Sequence, residues 1–240
     1  MDFKLDILAI AAHPDDVELA CSGTIIQEIN RGKKVGIVDL TRGELGTRGT
    51  PEIRDEEAQK AAKVLGVRIR ENLQMSDGLF SESIENLMRV VEIIRKYMPE
   101  IILTNAKSDR HPDHGRGGDL VERAMFLSGL PKVETSLRGI WQEAWRPKAI
   151  YRFVQDRYLK PDIVVDITES MNTKMESILA YKSQFYDPAS KETETPISSK
   201  EFLEFVKARA REMGREIGVE FGEGFNTPRT PGTSYLLDLH

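Results

Sequence analysis

Short apolar runs alternate with stretches of helical spacing, and this alternation constrains the fold more than any other feature of the sequence. The runs lie at residues 5–12, 35–40 and 101–104, and helical stretches lie between them at about 53–65 and 84–97. An apolar run of this length is typical of a strand that is buried on both faces. Strands that alternate with helices indicate a parallel sheet with helical crossovers. We therefore predict an α/β fold, a single Rossmann-like domain over residues 1–240 with a mostly parallel sheet flanked by helices.

The rest of the chain continues the pattern. Further strands are predicted at residues 149–154, 163–167 and 235–239, and further helices from about residue 16 and at about 170–182 and 199–214. Three polar stretches with Gly or Pro are predicted as loops, at residues 41–52, 106–118 and 186–199. Ligands of open α/β sheets bind at loops beyond the carboxyl ends of strands, and two of these loops have that place. We expect the functional site there.

Composition argues against several classes of partner. The 34 basic and 39 acidic residues give a net charge of -5 without a long basic run, which argues against nucleic acid. No stretch approaches the ~20 apolar residues that cross a bilayer, and the first residues lack the apolar core of a secretion signal, so no membrane is expected. Cys21 is the one cysteine, which excludes an intramolecular disulfide and a multi-thiolate zinc site. We expect a cytoplasmic protein.

Three of the four histidines lie in two short motifs that both begin His-Pro-Asp. The first motif, H-P-D-D, occupies residues 13–16, and the second, H-P-D-H, occupies residues 111–114. Both follow predicted strands. Incidental histidines in caps and turns are the alternative, but two such motifs are hard to obtain without a shared site. The motifs therefore predict one site that both of them build.

The residue types in these motifs suit a metal ion. Neutral imidazoles and a carboxylate bind zinc, and a catalytic zinc site keeps one position open for water. Proline after each histidine restricts that histidine to an extended backbone, which fixes the direction of its side chain. Asp15 and Asp16 need not both be ligands, because a second carboxylate offers a general base. Either residue is alternatively an N-cap of the first helix, which is compatible with a metal role.

With A-H-P-D-D-V-E at residues 12–18 and H-P-D-H at residues 111–114, the sequence resembles the LmbE/PIG-L family of zinc deacetylases. Other segments resemble one branch of that family, the bacillithiol-biosynthesis deacetylases, which act on N-acetylglucosaminyl malate. These segments are T-R-G-E-L-G-T-R-G-T-P-E-I-R at 41–54, Q-D-R-Y at 155–158, T-P-I-S-S-K-E-F at 195–202 and G-E-G-F at 222–225. The resemblance covers nearly the full chain and implies an LmbE-like fold.

The resemblance also implies roles for single residues. The ligands that it implies for one zinc ion per chain are His13, Asp16 and His114. Asp15 falls at the position of the general base. His111 falls where the family has a histidine outside the ligand set, which as imidazolium stabilises the oxyanion or protonates the leaving amine, with Asp113 orienting it. Arg54 matches a family arginine near the site, and a solvated residue in the first turn of the second helix is the alternative.

Three arginines in the predicted loops are candidates for substrate binding: Arg42, Arg48 and Arg110. Guanidinium groups bind carboxylates through paired N–H donors, and malate carries two carboxylates. Each of the three is alternatively a solvated surface residue. Glu18 belongs to the family motif, but the helix dipole also favours a glutamate in a first turn, and we adopt that structural interpretation.

The leading hypothesis is zinc-dependent hydrolysis of the N-acetyl group of N-acetylglucosaminyl malate or another N-acetylglucosaminide, with acetate released. A sugar- or nucleotide-binding module without catalysis is the main alternative. Against it, the first strand-to-helix turn lacks G-x-G-x-x-G, and its two aspartates suit a cation better than a pyrophosphate. A metallophosphoesterase ranks last, because two-metal phosphatases need more bridging ligands. We expect a small-molecule amino-sugar substrate and, since the family tends toward oligomers, a homo-oligomer.

Overall fold

The computed structural model describes residues 4–238, and the apolar runs form the middle of its main sheet. The strands are β1 (Ile7–Ala11), β2 (Val35–Thr41), β3 (Ile69–Met75), β4 (Ile101–Asn105), β5 (Ser136–Leu137), β6 (Ile140–Trp141), β7 (Ala149–Phe153), β8 (Ile163–Asp166) and β9 (Gly222–Asn226). Seven of them form one sheet in the order β3-β2-β1-β4-β7-β9-β8, and β5 pairs with β6 in a separate ribbon.

Strand direction in the main sheet is mostly parallel. The five strands from β3 to β7 pair in parallel, and β9 runs antiparallel to both of its neighbours, β7 and β8. Every residue of β1 and β2 is buried, as expected for strands that are covered on both faces. The predicted α/β fold with a mostly parallel sheet is confirmed.

Helices cover the sheet. They are α1 (Asp16–Ala20), α2 (Ser22–Asn30), α3 (Pro51–Leu65), α4 (Ile84–Tyr97), α5 (Pro112–Ser128), α6 (Met171–Leu179) and α7 (Lys200–Glu216). Three of them start at a hydroxyl side chain that accepts a hydrogen bond from a backbone N–H three residues on, and these caps are Thr50, Ser83 and Ser199. Among residues 4–238, no helix has the length and apolar character needed to cross a bilayer.

Two strands of the main sheet, and both strands of the β5–β6 ribbon, were not predicted from the sequence. β3 has polar residues at most of its positions and lies at the edge of the sheet, so it lacks the apolar signal of a buried strand. β9 contains Gly222 and Gly224, which have low β propensity. At Gly222 a Cβ would lie 2.8 Å from the backbone nitrogen of Gly214 in α7, so glycine is required by the close approach of helix and strand.

Three other boundaries differ from the prediction. The first predicted helix is two helices, because the backbone breaks at Cys21. The predicted loop at 106–118 ends early, since α5 begins at Pro112, a residue whose fixed φ favours a first helical turn. The predicted strand at 235–239 is wrong, because Leu236–Asp238 is a 3-10 turn, and residue 239 lies outside the described residues.

The order of the strands determines where a ligand can bind. β1 has β2 on one side and β4 on the other, so the chain winds outward in both directions from the β1–β4 pair. The carboxyl ends of two such neighbours are the usual ligand site of an open α/β sheet. The H-P-D-D motif follows β1, and the H-P-D-H motif spans the start of α5, the first helix after β4. The fold therefore brings both motifs to the same crevice.

A buried polar cluster joins β9 to the helices beside the first motif. The Glu223 carboxylate accepts hydrogen bonds from the backbone N–H groups of Gly23 and Thr24 at 2.9 and 2.7 Å, at the start of α2. It also pairs with Lys174 Nζ at 2.7 Å, and both side chains are almost fully buried. The positive end of α2 and the ammonium group compensate for burial of the carboxylate.

Glu18 lies in a second buried cluster. Its carboxylate is 2.5 Å from Arg70 Nη1, and Arg70 also pairs with Asp39 Oδ2 at 2.9 Å. The Tyr181 hydroxyl donates to Glu18 at 3.2 Å. Glu18 is thus a buried ion-pair partner that connects α1 to β2 and β3, a role beyond the helix-dipole interpretation given by its position.

The buried ion pair leads to a test of stability. Lys174→Met leaves the Glu223 carboxylate buried without its cation, so we expect the free energy of unfolding to fall by about 3–5 kcal/mol, measured by urea titration. Lys207→Met removes a surface pair with Glu204, with an N–O distance of 3.5 Å, and is the matched control, with an expected change within about 1 kcal/mol. Similar losses in both variants would contradict the importance of the buried pair.

Candidate active site

A cavity of about 370 Å³ opens at the carboxyl ends of β1 and β4. Seven of the residues predicted for the site line it: His13, Asp15, Asp16, Arg54, Arg110, His111 and His114. Asp113 is fully buried and contacts His13, one of the lining residues. Arg42 and Arg48 do not line the cavity. The two histidine motifs, separated by almost a hundred residues in sequence, therefore share one site.

The Asp16 carboxylate is the most highly bonded group in the cavity. It accepts hydrogen bonds from the His13 backbone N–H at 3.0 Å, from Asn105 Nδ2 at 3.0 Å and from Gln155 Nε2 at 2.7 Å. Its two oxygens also lie 3.5 Å from His13 Nδ1 and 3.1 Å from His114 Nε2. Asn105 ends β4 and Gln155 follows β7, so three strand ends hold this carboxylate in place.

Carboxylates on the far side of two imidazoles set their orientation. His114 Nδ1 lies 2.7 Å from Asp109 Oδ2, and His13 Nε2 lies 3.0 Å from Asp77 Oδ1. A carboxylate accepts, so in the neutral rings these nitrogens carry the proton. The lone pairs of His13 Nδ1 and His114 Nε2 then point toward Asp16. Metal-bound histidines in proteins almost always have such a partner on the other ring nitrogen.

His111 has the opposite arrangement. Its Nδ1 accepts a hydrogen bond from the Asp113 backbone N–H at 3.3 Å, which also caps α5. A neutral His111 therefore carries its proton on Nε2 and acts as a donor there. The imidazole nitrogens of His13, His111 and His114 all approach within 4.8 Å of one another, so proximity alone would permit three histidine ligands. The hydrogen bond of His111 favours a donor instead.

The charges around these rings fit a cation. Burial lowers the pKa of His114, but the charge of Asp16 and the hydrogen bond to Asp109 outweigh burial and raise the pKa to about 9. The pKa of His13 is likewise raised, against burial, by Asp113, Asp16 and Asp77. The carboxylates thus favour positive charge on both rings. A divalent cation between His13, Asp16 and His114 would satisfy the same demand and match the ligand types of zinc.

Asp15 differs from Asp16 in both backbone and partners. It precedes α1 with φ 116°, a left-handed conformation that costs a non-glycine residue energy and is typical of functional sites. Asp15 occupies the N-cap position of α1, as the alternative interpretation expected, but its side chain makes no capping hydrogen bond. Burial raises the pKa of Asp15 to about 7, although the Arg54 guanidinium acts against this at 2.9 Å. A carboxyl group with such a pKa can exchange a proton near neutrality.

Arg54 is buried, not solvated. Its guanidinium donates to the backbone oxygens of Gly43 and Pro14 at 3.1 and 3.2 Å in addition to Asp15. These bonds connect α3 to the loops after β1 and β2. Arg54 therefore holds the Asp15 carboxylate in one position at the cavity wall.

The Asp113 carboxylate contacts groups other than His111, the residue that it was expected to orient. Its carboxylate accepts from the Gly78 backbone N–H at 2.8 Å and lies 3.4 Å from His13 Nε2 and 3.2 Å from Arg116 Nη1. Its backbone N–H donates to His111 Nδ1, and the charge of its carboxylate acts to raise the His111 pKa, which burial lowers. Among residues 4–238, the Asp113 carboxylate makes no hydrogen bond to His111.

The three arginines proposed for substrate binding have protein partners. Arg42 pairs with Asp55 at 2.6 Å on the surface of α3. Arg48 is buried and pairs with Glu192 at 3.2 Å. Arg110 lines the cavity, and its Nε donates to Asp156 at 3.0 Å. Arg42 connects its loop to α3 and Arg48 connects two loops, which leaves Arg110 as the member of this set that lines the cavity.

Several residues of the site were not found from the sequence. They are Asp77, Asn105, Asp109, Gln155 and Arg209. Asp77 follows the unpredicted strand β3, and Gln155 belongs to a segment that carried only a family resemblance. Asp109 lies two residues before the second motif and could have been predicted from the sequence. A carboxylate close to predicted histidine ligands is a usual hydrogen-bond partner of such a ligand.

Asp109 provides a test of the site. Asp109→Asn removes the carboxylate behind His114 while keeping the shape of the side chain, so we expect zinc affinity to fall about 10–100-fold, measured by chelator competition. Asp119→Asn, a half-exposed position on α5, the helix that carries His114, is the matched control and should bind zinc as the unaltered protein does. Unchanged affinity in Asp109→Asn would contradict the ligand assignment of His114.

Comparison with known proteins agrees with this geometry. The sequence profile of the PIG-L family, described as GlcNAc-PI de-N-acetylase, matches residues 8–125, which include both histidine motifs. The diacetylchitobiose deacetylase of Thermococcus kodakarensis is 29% identical over 205 residues, 77% of this chain and 75% of that protein. A Bacillus subtilis protein named "Probable N-acetyl-alpha-D-glucosaminyl L-malate deacetylase 2" is 30% identical over 196 residues, 75% of this chain and 84% of that protein.

A solved structure extends the match to nearly the whole fold. The crystal structure of a conserved protein from Thermus thermophilus has a TM-score of 0.86 and 32% sequence identity, and the match covers 97% of this chain and 98% of that chain. The resemblance predicted from the sequence motifs is confirmed at the level of the family. The chain belongs to the PIG-L family of deacetylases, the hydrolases of N-acetyl amide bonds.

Proposed function

We propose that the protein hydrolyses the N-acetyl group of an N-acetylglucosamine conjugate with the help of one zinc ion per chain. One observation carries the proposal: two imidazole nitrogens, His13 Nδ1 and His114 Nε2, face the Asp16 carboxylate at 3.5 and 3.1 Å, in a cavity that Asp15 and His111 also line. This arrangement brings a metal site, a candidate base and a hydrogen-bond donor within one cavity. Hydrolysis of an amide needs these three elements.

His13, Asp16 and His114 are the proposed zinc ligands. When bound, zinc supplies Lewis-acid chemistry: it polarises a carbonyl oxygen and lowers the pKa of water. Asp109 and Asp77 accept from the opposite nitrogens, which in the neutral rings fixes the tautomer that leaves the proposed ligating nitrogens free to bind a metal ion. Asn105 and Gln155 keep the Asp16 carboxylate in one orientation. The ligands are thus preorganised by hydrogen bonds from several strand ends.

Asp15 is the proposed general base. Its buried carboxylate lines the cavity, and Arg54 fixes its position at 2.9 Å. It would take a proton from the attacking water and pass one to the leaving amine, so that the free amine and acetate result. His111, whose Nε2 is a donor in the neutral ring, would stabilise the negative oxygen of the tetrahedral intermediate. Asp15 and His111 both line the cavity that contains the proposed zinc ligands.

The finer part of the proposal concerns the substrate. N-Acetylglucosaminyl malate is the proposed conjugate, in bacillithiol biosynthesis in the cytoplasm. The name of the Bacillus subtilis relative and the family-like segment at 41–54 support it. A neutral N-acetylated disaccharide is the second candidate, because the Thermococcus kodakarensis relative is named for one. Either substrate is a small-molecule amino sugar, and the proposal includes a homo-oligomeric protein.

Acetate release and metal content test the function together. Purified protein should contain one zinc per chain by elemental analysis and should release acetate from N-acetylglucosaminyl malate. Removing the metal with a chelator should abolish release, and stoichiometric zinc should restore it, because the Lewis acid is then replaced. Free N-acetylglucosamine and diacetylchitobiose complete the substrate panel. Acetate release that persists in metal-free protein would rule out the zinc mechanism.

Substitution of the two adjacent aspartates separates base from ligand. Asp15→Asn should retain zinc while turnover falls about 10²–10⁴-fold, the usual contribution of general-base catalysis. Asp16→Asn should chiefly weaken zinc affinity, because it removes a charged ligand between two imidazoles. Zinc content and acetate release are measured on the same samples. If the two variants lost zinc equally, the division of roles within the pair would be wrong.

A further inference from the structure

Arg209 is a cavity-lining arginine whose donors have no partner among residues 4–238. It lies on α7 and lines the same cavity as His13 and Asp15. Its guanidinium carbon lies 4.5 Å from the ring centroid of Phe205, one turn earlier on the helix. Within the described part of the chain, the guanidinium makes no hydrogen bond or salt bridge. The aromatic ring therefore covers the guanidinium, and its N–H donors remain available.

The other two arginines of the cavity are occupied. Arg54 donates to Asp15 and to two backbone oxygens, as described above. Arg110 donates through Nε to Asp156 at 3.0 Å, with about half of its side chain exposed, which places it toward the mouth of the cavity. Arg209 is close enough to Asp156 to feel its charge. The cavity thus has two arginines and Asp156 beside the carboxylates that surround His13 and His114.

The state of Arg209 calls for an anion. Burial lowers the pKa of its guanidinium, while Asp156 and Asp109 act to raise it, and an arginine keeps its charge in proteins. A partly buried cation without an acceptor is unfavourable, and contact with an aromatic face compensates only in part. A carboxylate can satisfy several guanidinium N–H groups at once through a bidentate pair.

We propose that Arg209 binds a carboxylate on the aglycone of the substrate, so that the cavity has an anion subsite in addition to the acetamide-binding region. This inference rests on the proposed deacetylase function. It identifies Arg209 as the residue that selects substrates with an acidic aglycone. The aglycone carboxylate pairs with Arg209, while the N-acetyl group lies at His13, Asp16 and His114. Binding energy from this remote group would help to orient the amide, so its loss should affect kcat as well as KM.

Comparison of a charged and a neutral substrate tests the subsite. We expect Arg209→Met to reduce kcat/KM for N-acetylglucosaminyl malate about 10–100-fold, the usual range for one charge-assisted hydrogen bond. For methyl N-acetylglucosaminide, which has a neutral aglycone, kcat/KM should change less than about 2-fold. Arg209→Lys keeps the charge without the planar donor pair and should lie between the two. Salt should weaken malate-conjugate hydrolysis by the unaltered protein and have little effect in Arg209→Met.

Arg211→Met is the matched control, because Arg211 lies on the same helix and pairs with Glu220 at the surface, 3.1 Å away. It should leave both substrates unaffected. Equal losses on the charged and neutral substrates in Arg209→Met, or no loss on either, would overturn the subsite while leaving the deacetylase function intact. Absence of acetate release from both substrates in the unaltered protein would contradict the function itself. If Arg209→Met fails to fold, the substrate preference of Arg209→Lys decides the question.

Discussion

The carboxylate of Asp16 is the group on which the site depends. It accepts hydrogen bonds from a backbone N–H after β1, from the last residue of β4 and from a residue after β7, so it joins three neighbouring strand ends. It also faces two imidazoles that come from different motifs. A parallel sheet is what makes this possible, because the carboxyl ends of its strands lie along one edge. The proposed metal ligands and the sheet are therefore held in place by the same hydrogen bonds.

The charged side chains of the cavity have two functions: the carboxylates favour a cation, and Arg54 holds another carboxylate in position. Asp77 and Asp109 each accept from the far side of a ring, and together with Asp16 they raise the pKa values of His13 and His114 and so favour a cation. Arg54 acts locally and holds one carboxylate, Asp15, without joining the ligands. Burial strengthens all of these interactions, because few water molecules compete for the same donors and acceptors. A cavity lined by groups of both charges can bind the two ends of a polar substrate differently.

Local sequence patterns were sufficient to predict the central strands and the site histidines. Contacts between distant segments could not be predicted from such patterns. β1, β2 and β4 are apolar runs buried on both faces, and His13 and His114 stand in motifs that occur twice. The role of Asp77 could not be predicted from the sequence, because Asp77 follows an edge strand with a polar sequence. The arginines illustrate the same limit. Long flexible side chains reach whichever acceptor lies nearest, so Arg42 and Arg48 pair within the protein while Arg209, in a helix far along the chain, lines the cavity.

The position of Glu223 has a consequence for biosynthesis. This residue contacts Gly23 and Thr24 across 200 and 199 residues of chain, and β9 is the strand that joins β7 to β8. Contacts of such long range form late, because the loop that they close is costly in entropy. A nascent chain on the ribosome can pair its parallel strands early, but β7 remains an open edge until β9 emerges. A chain that stalls or is cleaved before residue 222 would expose that edge, which is a template for aggregation.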